Sequence, residues 1–553
     1  MINFNSKYSP NPLPLFLLFA SSSLVLLVHG TTSSSPLIQS SCTTTLYPQL
    51  CHSTLSDIPL TTATPPTRKD LIEFTINKTR DTIQANLHAI TNHLTHNTPR
   101  GLTERTKIAL HDCLELGAGT LERIDIAIQE LRAYPTSKKP LRQHADDLKT
   151  LMSTTITNKE TCLDGLSSSS KSVHKLIKRG QEHGGRMCSN VLAMIKDMTD
   201  SDMANDDSIK MLFKDDEKIV MWPEWLSAGD RKLLQSGTET PNVIVAADGS
   251  GDYTTVGAAV AAAPSKSTTR YVIKIKAGVY RENVNIPSGK TKLMFIGDGR
   301  SNTIITASES VAGGNTTFNS ATVAAVGDGF LARDITFQNA AGPSGEQAVA
   351  LRVGSDLSAF SGCGILAYQD TLYVHSNRQF YYNCMVVGTV DFIFGNAAVV
   401  LQNCDIQARL PGPKQKNMLT AQGRTDPNQN TGIVIQKCRI AATADLQPVQ
   451  ASYPTYLGRP WKLYSRTVVM QSSITDVINP AGWFPWDGDF ALDTLYYREY
   501  QNTGAGANTA NRVTWAGWGV ITTTAEAQSF TPGSFIDGGS WLQATGFPFS
   551  LGL

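Results

Sequence analysis

The sequence predicts a multidomain protein in which an N-terminal all-α four-helix bundle is followed by an all-β right-handed parallel β-helix. Three observations predict it. Residues 37–195 hold long Pro-free stretches whose apolar residues return at every third or fourth position. Beyond residue 240 the chain switches to short Val-, Ile- and Thr-rich runs separated by Gly, Asn and Asp. Within that second half one strand pattern recurs at intervals near twenty residues.

A chain of 553 residues is too long for one ordinary core, and 41% hydrophobic with 17% charged residues is a globular composition. The net charge of +1 gives no reason to expect a polyanion held by bulk electrostatics. No basic stripe interleaves with aromatics, so no nucleic acid partner is expected.

The N-terminus carries Lys7 in a polar start and then LPLFLLFASSSLVLLVHG, residues 13–30. This pattern predicts a secretory signal peptide over residues 1–30, with an uncleaved signal anchor as the rival reading. Export makes disulfides permissible, and nine Cys is an odd number, so at least one thiol should stay unpaired. Asn77-Lys78-Thr79 and Asn315-Thr316-Thr317 are glycosylation sequons.

Stretches such as RKDLIEFTINKTRDTIQANLHAITNHL and LTERTKIALHDCLELGAGTLERIDIAIQELRAY are separated by Pro and Ser/Thr clusters, as in an up-and-down bundle. Pairing Cys42 with Cys51 staples a hairpin, and Cys113 with Cys162 joins two helices, leaving Cys188 single. Residues 196–235 read as an acidic linker ending in Arg231, Lys232, Leu233 and Leu234. An exposed joint with that end is a site for a processing protease, or else a linker that stays intact.

Residues 236–553 carry the repeat. ITFQN (335–339), AFSGC (359–363), FYYNC (380–384), VLQNC (400–404), VIQKC (434–438) and VVMQSS (468–473) align as one recurring strand. From Cys363 the copies lie 21, 20 and 34 residues apart, the longer interval absorbing a loop on one face. Cys363, Cys384, Cys404 and Cys438 then stack on successive coils, about 4.8 Å apart, inside the span of disulfide Cα separations. We expect Cys384 bonded to Cys404, with Cys404–Cys438 or a fully reduced ladder as alternatives.

If one coil holds about 22 residues, Gln347, Asp370 and Asp391, separated by 23 and 21, share a face. Asp391 lies in VVGTVDFIFGNAAVVL, where an isolated carboxylate would lose its hydration at a cost of several kcal/mol. Two carboxylates on neighbouring coils cannot easily both ionise, so one should keep its proton while the other stays charged, which suits an acid and a nucleophile. Arg459 in TYLGRPWKL lies 68 residues beyond Asp391, and a guanidinium stays charged when buried and grips a carboxylate with two hydrogen bonds. Trp461 would share its face, with Tyr373, Phe318, Phe394 and Trp486 extending an aromatic platform on which a sugar ring can stack. Each feature alone has a plainer reading: an Asp–Arg pair as a structural ion pair, an aromatic as core, a Gln as a ladder. The combination in one register is what points to a site.

GVYRE (278–282), QAVAL (347–351), QDTL (369–372), VDFIFG (390–395) and LGRPW (457–461) resemble the five signature segments of plant pectin methylesterases. The bundle with its four Cys is similar to the pectin methylesterase inhibitor domain that precedes the enzyme in zymogen-type members. The resemblance implies a carboxylic ester hydrolase acting on methyl-esterified homogalacturonan (pectin), secreted to the plant cell wall and monomeric. A proteinaceous pectin methylesterase inhibitor is a second partner it implies. Carried over by position, Asp391 is the nucleophile, Asp370 the general acid and then base, and Gln347 and Gln369 the oxyanion donors. Arg459 orients Asp391, and Trp461 and Thr317 contact substrate. No cofactor is expected, and no His/Cys cluster at zinc spacing offers a metal site.

Three other readings compete. A β-helix polysaccharide lyase or glycoside hydrolase would shorten the chain and create new reducing ends, whereas an esterase releases methanol alone. A non-catalytic wall-binding protein would need one of the acids or the Arg to be missing. The bundle could also act as a free inhibitor after cleavage instead of a pro-region.

Overall fold

The computed structural model describes residues 35–59, 65–96, 102–135, 139–169, 171–205 and 240–553. The proposed signal peptide and the Arg231–Leu234 joint lie outside the described residues. Two short helices, α1 (Pro36–Thr43) and α2 (Pro48–Leu55), precede four long ones: α3 (Arg68–His96), α4 (Glu104–Ala133), α5 (Leu141–Gly165) and α6 (Lys171–Asn205). Each long helix packs on the next and α6 returns to α3, which closes the bundle. Its core gathers Leu71, Ile76, Ile124, Leu131, Met152, Leu192 and Ile195. Cys42–Cys51 ties α1 to α2 and Cys113–Cys162 ties α4 to α5, while Cys188 is free and buried, all as expected. Residues 196–205, read as the start of the linker, instead continue α6, because Met198 and Thr199 are still buried against the bundle.

From Val243 onward the strands wind into three parallel sheets of eleven, eight and seven strands, the β-helix that the repeat predicts. One coil runs Ser358–Ser361, Gly364–Leu366 and Leu372–Val374, taking one strand from each sheet. The next begins at Arg378–Tyr382, where Ala359 meets Phe380, then Val400, Val434 and Val468 in register. That register is the one read from the cysteine motifs. The first copy was misplaced. ITFQN belongs to the eight-stranded sheet beside Gly364–Leu366, and Ala359 pairs instead with Leu331, so the segment that matches AFSGC begins four residues earlier.

The residue before each cysteine turns the corner with positive φ: Gly362 at 64°, Asn383 at 53°, Asn403 at 55° and Lys437 at 54°. Gly and Asn tolerate this left-handed conformation best, which explains the recurring Gly or Asn in the motif. Inside the coils, alternate residues fill a continuous core, with Phe360 stacked on Tyr381 at 4.7 Å. Cys363, Cys384, Cys404 and Cys438 are all free and buried, so the expected Cys384–Cys404 bond is not formed. In-register neighbours point their side chains in parallel, and each thiol is turned to a backbone carbonyl instead; Cys384 Sγ faces the Tyr382 carbonyl at 3.4 Å.

Candidate active site

The seven-stranded sheet carries the site. Leu372 pairs with Ile393, so Asp370 and Asp391, each two residues before its strand, stand on adjacent coils. Both adopt positive φ, 62° and 51°, at the corner leading into that sheet. The following residues, Thr371 and Phe392, turn inward and are fully buried. Each carboxylate therefore sits on a corner fixed from below, by the bonds of Thr371 to the Tyr368 and Val387 carbonyls in one case and by the packing of Phe392 in the other, at a conformation that costs about 1 kcal/mol or more for a non-Gly residue.

Arg459 follows the strand Thr455–Gly458, and its guanidinium reaches back across the sheet. Its Nε donates to Asp391 Oδ1 at 2.8 Å and its Nη2 to Asp391 Oδ2 at 2.6 Å. Such a bidentate pair is the arrangement that holds a buried carboxylate ionised. Burial pushes the Asp370 carboxyl well above the usual range, and the nearby Asp391 charge pushes it further, with Arg459 opposing only at a distance. Burial raises Asp391 as well, but there the direct bonds from Arg459 pull it back. The proton shared by the pair therefore resides on Asp370 and the negative charge on Asp391.

A cavity of about 530 Å³ lies over these groups. Thr317, Phe318, Gln347, Gln369, Asp370, Tyr373, Asp391, Phe394, Arg459, Trp461 and Trp486 all line it, so every candidate site residue read from the sequence meets at one place. Tyr373 and Phe394 stack at 4.1 Å, Trp461 stands edge-on to Phe394 at 6.0 Å, and Trp486 lies under the Arg459 guanidinium at 4.3 Å.

Sequence reasoning missed Arg352, which is 4% exposed and lies 3.4 Å from the Phe318 ring centroid, propping that ring from below. The signal was present: a single charge in QAVALRV is as out of place as Asp391 in its own strand. It also missed that the bundle supplies one wall. Arg105, Thr161, Asp164, Gly165 and Ser167 line the same cavity. Apolar residues of the bundle, including Leu110, Leu116 and Leu166, share one cluster with Phe318, Tyr373 and Phe394.

Helix α5 makes most of this apposition through a polar stripe. Asn430 Nδ2 donates to Thr150 (2.9 Å), Gln429 Nε2 to the Ser153 carbonyl (3.0 Å), and Thr154 Oγ1 to Asn377 (2.6 Å). Asn396 Nδ2 donates to Thr157 (2.8 Å), and Thr161 bonds His375 (3.0 Å). Positions 150, 153, 154, 157 and 161 recur at helical spacing, so one face of α5 is built to lie on the sheet. From α4, Arg123 grips Asp328 with two bonds of 2.7 Å.

Comparison with known proteins finds relatives for both halves of the chain. Residues 242–539 match the family described as Pectinesterase, and residues 36–194 match Plant invertase/pectin methylesterase inhibitor. A pectinesterase/pectinesterase inhibitor U1 from Solanum lycopersicum is 61% identical over 527 residues, 94% of this chain and 90% of that protein. A pectinesterase from Daucus carota is 79% identical over 319 residues, 58% of this chain and the whole of that protein. The solved structure of a carrot pectin methylesterase superposes with a TM-score of 0.57 at 78% identity, covering 57% of this chain and all of that one. The β-helix half thus corresponds to a protein that exists, folded, by itself. The chain belongs to the pectinesterase family and carries a plant invertase/pectin methylesterase inhibitor segment ahead of its β-helix.

Proposed function

We propose that the β-helix hydrolyses methyl esters of homogalacturonan with Asp391 as nucleophile, and that the bundle holds it inactive until the two halves separate. The observation that carries the first part is the two-bond grip of Arg459 on Asp391, with Asp370 buried on the adjacent coil and holding no such bond. Asp391 attacks the carbonyl carbon of the methyl galacturonate, and the amides of Gln347 and Gln369 stabilise the oxyanion. Protonated Asp370 gives its proton to the departing methoxide, methanol leaves, and an anhydride joins Asp391 to the sugar. Asp370, now ionised, takes a proton from water as the water attacks the anhydride; the free uronate leaves and Asp391 is restored. Each oxyanion donor is worth about 3 to 4 kcal/mol in such sites. Phe318, Tyr373, Phe394, Trp461 and Trp486 serve as the sugar platform, with Thr317 at its rim.

The second part rests on the docking of α4 and α5 over that platform, where their residues pack against Phe318, Tyr373 and Phe394 and wall the cavity. Secretion to the wall, acting there as a monomer, and cleavage by a protease near Arg231–Leu234 complete the reading. The test is methanol release from methylated pectin by residues 240–553 compared with the full chain. The fragment should be at least about tenfold faster, and Asp391→Asn in the fragment should lower the rate by about 10³-fold or more while leaving a cooperative melt. Equal rates for the two forms would refute autoinhibition, and near-normal turnover by the variant would refute the nucleophile.

A further inference from the structure

Lys462 follows Trp461, whose ring lines the catalytic cavity, and its Nζ stands 5.1 Å from that ring's centroid. The ammonium donates to Asp164 Oδ1 at 2.8 Å and lies 3.5 Å from Glu160 Oε2. Both carboxylates belong to α5, and the ion pairs of Lys462 among the described residues are with these two groups alone. Glu160 has a second cation on its own helix, Lys159. Asp164 has no ion pair there among the described residues, its Oδ2 finds no hydrogen-bond partner, and it lines the cavity. The β-helix thus holds, next to the cavity-lining Trp461, a cation whose ion pairs among the described residues come from the bundle, one of them from Asp164 at the cavity wall.

A strong, directional carboxylate site of this kind has an obvious second occupant when α5 leaves. The substrate is a chain of uronic acids, and each turnover converts one neutral ester into one carboxylate. Resting on the esterase reading, we propose that Lys462 is a subsite for the free carboxylate of a uronate flanking the esterified unit, and that Asp164 and Glu160 occupy it as substitutes in the uncleaved chain. Lys462 then favours esters lying beside residues already de-esterified, and it also retains the product. Arg459 is held away from this role by its Nε and Nη2, which both bond Asp391.

The experiment uses residues 240–553 and a fully de-esterified oligogalacturonate as inhibitor of methanol release. Lys462→Gln should raise the inhibition constant about tenfold, the usual loss for one well-placed charge pair. Lys462→Arg should stay within about twofold of the parent, because the charge remains. An inhibition constant unchanged in K462Q, or raised as far in K462R, overturns the proposal. Should K462Q not fold, acylation of Lys462 by an amine reagent, read by peptide mass spectrometry on the unaltered fragment, gives the same answer: oligogalacturonate protects the amine, and absence of protection overturns the subsite. Loss of methanol release by the unaltered fragment would sink the esterase reading, whereas unchanged inhibition with turnover intact sinks only this inference.

Discussion

Asp370 is where chemistry and stability pull against each other. The residue is 7% exposed, and its carboxyl receives no direct bond from Arg459 and faces the charge on Asp391, so its folded pKa lies well above the ordinary 3.8. A raised carboxyl pKa means that the unfolded chain loses this proton at lower pH than the folded one. The group therefore costs no stability below about pH 4, and its cost grows as pH rises from there toward the folded pKa. Asp370→Asn, which keeps the shape and cannot ionise, should melt higher than the parent at pH 7 by several degrees, with the gain vanishing near pH 4. The same substitution should abolish methanol release, because no proton is then available for the methoxide. A melting difference that is flat in pH would show that Asp370 is not the strained member of the pair. For the parent fragment, the rate should fall as pH climbs through the Asp370 pKa, since only the protonated form can serve the first step.

At the scale of the coil, what the sequence displayed was whatever the repeat made periodic. Cys363, Cys384, Cys404 and Cys438 take the register that their spacing predicts, and Asp370 and Asp391 fall on neighbouring coils because both obey the same 21-residue interval. ITFQN was misplaced because two sheets of the coil present similar apolar runs, and alternation alone cannot tell which face of a coil a run belongs to. The thiols were misjudged because Cα spacing permits a bond that parallel side-chain directions do not favour. Gly395, closing VDFIFG, shows how tightly the coils are drawn: with φ at 128°, a Cβ there would lie 2.1 Å from the Val374 carbonyl oxygen. Gly395→Ala must push apart the two coils that carry Asp370 and Asp391. It should destabilise the fragment by about 3 kcal/mol or more and lower the melting temperature accordingly, which differential scanning calorimetry would measure. A melt within a degree of the parent would mean that the coils can separate freely at this point.

Across the whole molecule, the two halves meet through contacts that no single-chain periodicity could announce, since Arg123 and Asp328 are 205 residues apart and Asp112 and Thr316 are 204 apart. Those contacts also set a direction for pH. Burial raises Asp112 to about 7 against a bond from Thr316, and raises Asp146 to about 6 where it lies near Arg378 and Asp537 of the β-helix. Asp164 and Asp426 are raised by burial too, against Lys462 and Ser189 respectively. Each of these carboxyls binds its proton more tightly docked than free, so docking is fully supported below their ordinary range and weakens as pH rises through about 6 to 7. Glu160 opposes the trend, because the lysines hold it below its usual value and its contribution is lost only in more acid solution. His375, bonded to Thr161 across the junction, opposes it as well, because burial lowers its pKa to about 3 and the neutral ring docks more readily as pH rises. Four raised acids against these two groups make release favoured by rising pH. The ratio of methanol release by the full chain to that by residues 240–553, which cancels the pH profile of the chemistry itself, should therefore rise about tenfold or more between pH 5 and pH 7.5. Asp112→Asn should flatten that rise, because the amide keeps the contact with Thr316 and has no proton to lose. A ratio constant across the range would mean that the neighbouring cations fully compensate the buried acids, and that pH does not govern separation of the two halves.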